Sequence, residues 1–293
     1  MFSLLVPVLN EEGVIEETIR TLDHTLKTTS EPYEIVVIDD GSKDRTPGIL
    51  RGLHVPALRV ITHPINRGYG ASMKTGIRHS KGDIIGTVDA DGTYPLTSFP
   101  ALLKDMKSSQ ADMVVGARTK KGAKIPFIRR PAKWIVNKLA NTLAGARIPD
   151  LNSGMRLFTR ELGERFMHLY PQRFSFTITI TLAALTNDYM VRYVPIDYMK
   201  RHGKSTLSSG MNGLKNFANF LGLIVRIVTY FRPLKFFIWP SMLLMIGGAV
   251  TIGYTLYIDR NISDSGMLML LSGLQIGLFG LLAEAVVRQR SAN

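Results

Sequence analysis

Two long apolar runs near the carboxyl end constrain this sequence more than any other feature. The first run contains a single charged residue, Lys235, and the second contains a single one, Glu284. About 20 apolar residues of helix are enough to cross the hydrocarbon core of a bilayer, and each run exceeds that length. The sequence therefore predicts two transmembrane helices, at about 234–257 and 265–287, which form a hairpin.

Basic residues flank the outer ends of this hairpin, which we place at 232–293 with a short basic tail at its end. They are Arg226, Arg232, Lys235, Arg288 and Arg290. Because basic residues concentrate on the cytoplasmic side of membrane proteins, both ends and the preceding part of the chain are expected in the cytoplasm. We predict a multi-pass protein of the cell membrane. The alternative is two buried helices of a soluble core, but such long apolar runs rarely close into a soluble fold.

The segment before the hairpin, 211–231, has the pattern of an amphipathic helix. Apolar residues recur in it at helical spacing, namely Leu214, Phe217, Phe220, Leu221, Ile224 and Val228. A stripe of this kind lets a helix lie flat in the membrane interface. We therefore predict an interfacial helix at 211–231.

The first 210 residues have the pattern of an α/β domain. Five short apolar runs are nearly continuous in hydrophobicity, which is typical of central strands covered on both faces. They read SLLVPVL, YEIVVIDD, LRVITHP, DIIGTVDAD and DMVVGAR. Between the first two runs, apolar residues recur at helical spacing from Val14 to Leu26. We predict a doubly wound, Rossmann-like, mostly parallel sheet with helices on both faces over 1–210.

Acidic residues, asparagines and glycines follow the carboxyl ends of four of these strands. They are Asn10 with Glu11, Asp39 with Asp40, Asn66 with Gly68, and Asp89 with Asp91. In an open α/β sheet, that edge is where ligands bind. A single acidic strand end is usually a helix cap, but four at one edge predict a binding site.

The sequence Asp89-Ala90-Asp91 is the strongest single motif. Two carboxylates separated by one residue can present oxygens to one hard divalent cation, which also takes oxygens from a diphosphate. We expect Mg²⁺ or Mn²⁺ as the cofactor. A carboxylate at Asp39 or Asp40 can bond the base or ribose of a nucleotide, and Gly68 allows close approach of the backbone where a helix begins.

Charge and composition narrow the chemistry further. The net charge is +13, and nine basic residues with no acidic one lie from Arg118 to Arg147, while a second acid-free stretch lies between Asp197 and Asp259. These stretches suit phosphates, anionic lipid or a solvated face; no nucleic-acid partner is expected, because aromatic residues do not alternate with the basic ones. The chain has no cysteine, which excludes disulfides and thiolate chemistry.

Six motifs, in order along the chain, carry a resemblance to a known family. They are PVLNEE, DDGSKDRT, NRGYGAS, DADGTYP, GAR and DLNSGMRLF. Together they resemble glycosyltransferase family 2 with the GT-A fold. More narrowly, they resemble its dolichol-phosphate mannosyltransferase and polyprenyl-phosphate glycosyltransferase branch. The resemblance covers roughly the first 210 residues, and the hairpin is similar to the membrane anchors of that branch.

The resemblance implies roles for the matching positions. The nucleoside would be held by Pro7, Asn10, Glu11, Asp39 and Asp40, with Gly68 and Ala90 beside the donor. Asp89 and Asp91 would hold the metal on the donor diphosphate. The donor or acceptor phosphates would be approached by Arg118, Arg130, Lys133, Ser153 and Arg156, and of these Arg118 and Arg130 are expected to act in catalysis with the two aspartates.

The resemblance also bears on three further positions. Arg201 and Lys204 stand where relatives have a flexible loop that closes over the donor. Thr93 stands where some relatives have a glutamine that helps the metal, so we do not expect it to be a ligand.

The implied function is transfer of one sugar from a UDP- or GDP-hexose to a polyprenyl monophosphate, undecaprenyl or dolichyl, by metal-dependent inverting displacement. A phosphate monoester has a second pKa of about 6, so the acceptor arrives ionised and needs no strong general base. No residue is therefore assigned that role.

Two other functions are compatible with the same sequence. A processive polysaccharide synthase of the family usually carries Gln-x-x-Arg-Trp, whereas this chain has Gln172-Arg173-Phe174. A non-catalytic, membrane-bound nucleotide binder would use the acids structurally and the basic stretches for anionic lipid. The sequence leaves open the sugar and base of the donor, the length and saturation of the polyprenyl chain, and the oligomeric state, with a homo-oligomer compatible.

Overall fold

The computed structural model describes residues 1–119, 141, 145–172, 176–199, 222, 225, 229–230 and 233–291. The strands in these residues are β1 (Phe2–Val8), β2 (Tyr33–Asp39), β3 (Leu58–Thr62), β4 (Ile84–Thr87), β5 (Met113–Ala117), β6 (Arg156–Thr159) and β7 (Val191–Pro195). The helices are α1 (Ile15–Lys27), α2 (Thr46–Gly52), α3 (Tyr69–His79), α4 (Phe99–Ser109), α5 (Arg160–Arg165), α6 (Phe176–Thr186), α7 (Pro233–Asp259) and α8 (Asp264–Ser291).

The strands form one sheet in the order β3-β2-β1-β4-β6-β5-β7. All run parallel except β6, which is antiparallel to both of its neighbours. The register places Val8 beside Asp39 and Asp39 beside Thr62, so the carboxyl ends of the first three strands are level. The predicted α/β fold with a mostly parallel sheet is confirmed.

Both faces of the sheet are buried, as the continuous apolar runs predict. Along β1, Leu4 and Val6 face a core built with α1 and α4, while Leu5 faces a second core built with α3, α5 and α6. Alternate residues of a strand point to opposite faces, so a strand covered on both sides needs apolar residues throughout. This sandwiched sheet is a rigid base for the loops at its edge.

The strands β6 and β7 were not predicted from the sequence. β6 is only four residues long and begins with a fully buried arginine, Arg156. β7 lies at the sheet edge and is half-exposed or exposed along its length. Neither has the continuous apolar pattern of a central strand, and their pairing with β5 depends on contacts distant in sequence.

The helices α7 and α8 are each long and apolar enough to cross a membrane. Only 11% and 17% of their most apolar windows is buried within the protein, which is not the pattern of core helices in a soluble domain. The two pack closely through small residues: the Ser241 hydroxyl donates to the Gly273 carbonyl at 2.7 Å, and a Cβ added at Gly248 would lie 2.7 Å from the Gly266 carbonyl. Such contacts are typical of helix pairs in membranes.

The predicted interfacial helix at 211–231 falls outside the described residues except at positions 222, 225, 229 and 230. The proposed division of the chain at residues 210 and 231 therefore stays a prediction.

Candidate functional site

The carboxyl ends of β1, β2 and β4 bring the predicted ligand-binding residues to one edge of the sheet. The backbone amide of Asp40 donates to the Val8 carbonyl at 2.9 Å, and that of Val88 donates to the Leu5 carbonyl at 3.2 Å. Asn10 and Asp89 therefore follow β1 and β4, Asp39 ends β2, and β1 lies between the other two strands. Pro7 lies in β1 itself, half-buried and one residue before the end of the strand.

The loops after β1 and β2 are joined by hydrogen bonds. The Asn10 side-chain oxygen accepts from the Lys43 amide at 2.8 Å, and the Asn10 amide donates to the Ser42 hydroxyl at 2.9 Å. The Glu11 amide donates to the Thr46 hydroxyl at 3.0 Å. Asn10 has a φ of +56°, a left-handed conformation that asparagine tolerates better than most residues. Asn10 and Glu11 thus connect the two loops, which together form a wall beside Asp39.

The two oxygens of the buried Asp39 carboxylate differ in their hydrogen bonding. Its Oδ1 accepts from the Ser42 amide at 3.0 Å. Its Oδ2 is buried and has no hydrogen-bond partner among the residues that the structure describes. Since buried polar atoms are nearly always hydrogen-bonded in native proteins, this oxygen fits a ligand that brings a donor, such as a ribose hydroxyl or a base N–H.

The Asp40 carboxylate is buried and accepts hydrogen bonds from backbone amides of the protein. One oxygen accepts from the Arg67 amide at 2.9 Å and lies 2.7 Å from His63 Nδ1, and the other accepts from the Gly68 amide at 2.7 Å. These bonds place Gly68, with a φ of +96°, directly before α3. Asp40 thus positions the loop before α3, and the nucleoside contact that the resemblance implies for it stays a prediction.

The first turn of α3 is packed against the chain's own backbone. A Cβ added at Gly70 would lie 1.9 Å from the Pro171 carbonyl oxygen, and the Ala71 amide donates to the Gln172 carbonyl at 2.7 Å. The glycine at position 70 is therefore required by the 171–172 segment.

The Asp89-Ala90-Asp91 turn is stabilised by hydrogen bonds from other residues of the protein. The Asp91 Oδ1 accepts from the Thr93 hydroxyl at 2.6 Å and from the Thr93 amide at 3.2 Å. Ala90 is buried, and its carbonyl accepts from the Thr18 hydroxyl of α1 at 3.4 Å. Thr93, which we did not expect to bind metal, therefore orients the Asp91 carboxylate.

Asp89 lies directly against Gly154. A Cβ added at Gly154 would be 2.4 Å from the Asp89 Oδ2, so only glycine leaves room for this carboxylate. The backbone of Gly154 is fixed on both sides: its amide donates to the Tyr94 hydroxyl and its carbonyl accepts from the Thr87 hydroxyl, both at 2.7 Å. The loop before β6 is therefore part of the site.

Two phenols lie near this carboxylate, Tyr69 with a buried hydroxyl and Tyr94 buried as a whole. Burial raises the pKa of Tyr69 well above its ordinary value, and the charge of Asp89 raises it further. Burial and then the charge of Asp89 raise the pKa of Tyr94 in the same way. Both hydroxyls stay protonated near neutral pH, so neither adds negative charge beside Asp89.

The donor set fits a divalent cation that arrives with a diphosphate. Among the described residues, no group of three or more His, Cys, Asp or Glu side chains could hold a metal by itself. Mg²⁺ is often bound by one or two carboxylates together with substrate phosphates and water. Asp89 and Asp91, adjacent at the edge and flanked by neutral hydroxyls, match that arrangement better than a resident metal site.

Arg118 and Asp150 form a partly buried ion pair beside the site. Arg118 donates from Nε and Nη2 to the two carboxylate oxygens at 2.7 and 2.8 Å, and its guanidinium stacks 5.1 Å from the centre of the Tyr198 ring. Tyr198 in turn contacts Tyr94 edge-on at 5.4 Å. Burial opposes ionisation of Asp150, but the hydrogen bonds and charge of Arg118 outweigh it and lower the pKa of Asp150 below its ordinary value.

This pair yields a prediction on stability. The Asp150→Asn variant is expected to be about 2 kcal/mol less stable at pH 7, because it leaves a partly buried guanidinium without its counter-charge. A carboxyl with a lowered folded-state pKa stabilises the protein above its ordinary value of 3.8, and the effect is lost as the pH falls through the folded-state pKa. The gap in melting temperature between wild type and variant should therefore narrow below pH 4.

Asp105→Asn, which removes a more exposed pair with Arg192, is the control and should cost less than about 1 kcal/mol. An unchanged gap at low pH would contradict the assignment.

Ser153 and Arg156 lie at the site but point into the protein. The Ser153 hydroxyl donates to the Gly116 carbonyl at 2.6 Å. Arg156 is fully buried, and it donates to the Ser153 carbonyl at 3.1 Å and to the Thr177 carbonyl and Thr181 hydroxyl of α6 at 2.9 Å. The two residues tie the loop that carries Gly154 to β5 and α6. The contacts with phosphate that the resemblance implies for them stay predictions.

The remaining predicted site residues, Arg130, Lys133, Arg201 and Lys204, lie outside the described residues. Sequence reasoning missed the contributions of Tyr69, Tyr94, Asp150, Gly154 and Tyr198. Four of these five stand inside the quoted motifs NRGYGAS, DADGTYP and DLNSGMRLF, so the motifs held the signal although their internal roles depend on distant contacts.

Comparison with known proteins gives consistent matches. Residues 3–166 match the model of the family Glycosyl transferase family 2, and residues 232–288 match that of the GtrB C-terminal hairpin. A dolichyl-phosphate beta-glucosyltransferase of Trichomonas vaginalis is 30% identical over 78% of this chain and 71% of its own length. A prophage bactoprenol glucosyl transferase homolog of Escherichia coli is 28% identical over 98% of this chain and 93% of its own.

A solved structure shares the fold. Glucosyl-3-phosphoglycerate synthase from Mycobacterium tuberculosis, in complex with Mn²⁺ and uridine-diphosphate-glucose, superposes with a TM-score of 0.59 at 18% identity. The match covers 78% of this chain and 79% of that one. At this identity the likeness concerns the fold alone.

Proposed function

This chain belongs to glycosyltransferase family 2, and from that membership we propose that it transfers one sugar from a nucleotide-sugar donor to a polyprenyl monophosphate in the membrane. The reaction would take place at the cytoplasmic surface, with both outer ends of the α7–α8 hairpin on that side. The observation that carries the proposal is the Asp89/Asp91 pair at the sheet edge, in a chain with two helices long and apolar enough to span a membrane.

The lipid acceptor is supported by the relatives and by the hairpin. Two relatives that align with most of this chain carry names that denote transfer to dolichyl phosphate and bactoprenol. The match to the GtrB C-terminal hairpin covers α7 and most of α8. A polyprenyl phosphate stays in the bilayer and offers only its headgroup, so an enzyme that uses it must be held at the membrane.

The nucleotide donor is supported by the geometry of the edge. The free Oδ2 of Asp39 lies at the end of β2, beside the wall formed by Asn10 and Glu11, and suits a nucleoside donor group. Asp89 and Asp91 follow the next strand but one along the same edge. A diphosphate would then lie between the nucleoside at Asp39 and the sugar. The motif resemblance implies contacts of these residues with the same parts of the donor.

The chemistry follows from the charges. When bound, a divalent cation neutralises charge on the leaving diphosphate. Asp89 and Asp91 would hold that cation, and the hydrogen bond from Thr93 fixes the orientation of the Asp91 carboxylate. The acceptor phosphate is already a nucleophile near neutral pH. The guanidinium of Arg118 has its charge shared with Asp150, so it offers the incoming phosphate a positioned but partly neutralised partner. In-line attack on the anomeric carbon would invert its configuration.

The donor is tested with a panel. Membranes that contain the protein are incubated with labelled UDP-glucose, UDP-N-acetylglucosamine or GDP-mannose, with Mg²⁺ or Mn²⁺, and the lipids are extracted. We expect the label of one donor to enter the organic phase and a chelator to abolish this. Since relatives are named glucosyl transferases, UDP-glucose is the first donor to examine. Label found only in a polymer would favour a processive synthase, and donor binding without any turnover would favour a nucleotide binder.

A further inference from the structure

A cavity of about 470 Å³ lies between the part of the chain that forms the sheet and its helices, called the strand-rich part below, and the carboxyl end of α8. Its polar wall includes Arg165, the last residue of α5, and His168, which follows shortly after. Its apolar wall comes from α8 and includes Leu282, Ala283 and Val286. Its volume is within the range of sites for small organic ligands.

The cavity lies away from the site at the sheet edge. Its lining includes Asn187, which follows the carboxyl end of α6, whereas Thr177 near the other end of that helix contacts Arg156. Because α6 has 11 residues and a helix rises about 1.5 Å per residue, its two ends are roughly 16 Å apart. A group bound here cannot also react at Asp89.

One wall is polar and the other apolar, as expected for a site that binds the headgroup and the hydrocarbon chain of an amphiphile. The apolar wall is continuous with the surface that α8 presents to the bilayer, where Phe279 and Leu282 are each 64% exposed. At the polar wall, the Arg165 guanidinium donates to the Tyr189 hydroxyl at 2.9 Å and stacks on the rings of Phe166 and Tyr189. Neither contact neutralises its charge, and its nearest carboxylate, Glu161, is a largely exposed partner at 3.9 Å.

We infer that this cavity binds one phospholipid of the surrounding bilayer, with an anionic headgroup at Arg165 and an acyl chain along α8. The occupant is a bulk membrane lipid, distinct from the polyprenyl acceptor, because the cavity is too far from Asp89 for a reacting phosphate. The contact between His168 and Tyr230, whose ring nitrogen and hydroxyl are 3.3 Å apart, joins the strand-rich part to the segment before α7 at the same place. A lipid bound there would brace the strand-rich part against the hairpin.

Native mass spectrometry of the full chain tests this inference. The protein is released from detergent micelles that contain either phosphatidylglycerol or phosphatidylcholine with the same acyl chains. We expect one phosphatidylglycerol to be retained per chain in preference to phosphatidylcholine. Arg165→Gln should lower that preference about fivefold, as expected for the loss of one cationic side chain near an anionic membrane surface. Arg20→Gln, an exposed arginine of α1, is the charge control and should retain the preference.

A second pair of variants separates the cavity from general lipid adhesion. In Ala283→Trp, the added ring would occupy the cavity beside the apolar wall, so retention of the lipid should be lost. Leu281→Trp changes an exposed position of α8 outside the lining and should still retain the lipid. The inference is overturned if wild type retains no such lipid, if Ala283→Trp retains as much as wild type, or if added polyprenyl phosphate displaces the phospholipid at equal concentration. None of these readouts depends on sugar transfer, so the result is independent of the proposed function.

Discussion

Replacing Asp91 with asparagine is expected to lower kcat for sugar transfer about 10³-fold, because the charge that holds the cation on the donor diphosphate is halved. The fold should be retained, since the asparagine oxygen can still accept from the Thr93 hydroxyl and amide. The measurement is initial rate against concentration of Mg²⁺ or Mn²⁺, with the melting temperature recorded for the same preparation. The concentration of metal needed for half-maximal rate should also rise.

Asp83→Asn is the matched control for this variant. Asp83 directly precedes β4, the strand that leads to Asp89 and Asp91, and it is an exposed residue at the opposite end, where it pairs with the amino terminus at 3.3 Å. Its replacement should leave the rate within about twofold, as expected for a surface ion pair remote from the site. Unchanged metal-dependent turnover in the Asp91→Asn variant would remove the acidic pair from catalysis.

Replacing Gly154 with alanine is expected to lower kcat about 10²-fold without unfolding the protein. The added Cβ would lie 2.4 Å from the Asp89 Oδ2, so the carboxylate must move, and displacements of about 1 Å in an active site can cost that much. The loop cannot easily yield, because hydrogen bonds to Tyr94 and Thr87 fix the backbone on both sides of the residue. Rate, metal dependence and melting temperature are measured together.

Gly48→Ala is the control for the added methyl group. Gly48 lies in α2, and a Cβ there meets nothing within 4 Å. This variant should keep full activity and gain slightly in stability, because alanine favours the helix. If Gly154→Ala were as active as Gly48→Ala, the account of how Asp89 is positioned would be wrong.

The fold and the location of the site were predictable because their signals are local. Each central strand is a continuous apolar run, and each is followed at once by the polar residues that meet at the edge, as with Val37 to Asp40. The pattern therefore specified both the sheet and its functional end. The short β6 and the exposed edge strand β7 lack such a run, and they were missed.

The roles of individual residues were less predictable, because they depend on partners far away in sequence. Thr87 and Gly154, which fix the Asp89 carboxylate together, are 67 residues apart, and Arg118 and Asp150 are 32 apart. Asp40 and Arg156 have the residue types expected for ligand contacts. In the structure, Asp40 holds the loop before α3, and Arg156 holds the loop before β6. A sequence motif identified these residues as important without showing what they touch.

Transfer of the sugar to the phosphate of a membrane lipid can be measured with matched acceptors. Purified protein is given a labelled nucleotide sugar, a divalent cation, and mixed micelles containing either a polyprenyl monophosphate or the polyprenol of the same length. We expect label to enter the organic phase only with the monophosphate, and Asp91→Asn to lower the rate of this transfer about 10³-fold. Equal labelling of the polyprenol, or consumption of the donor with no labelled lipid in either case, would contradict this expectation.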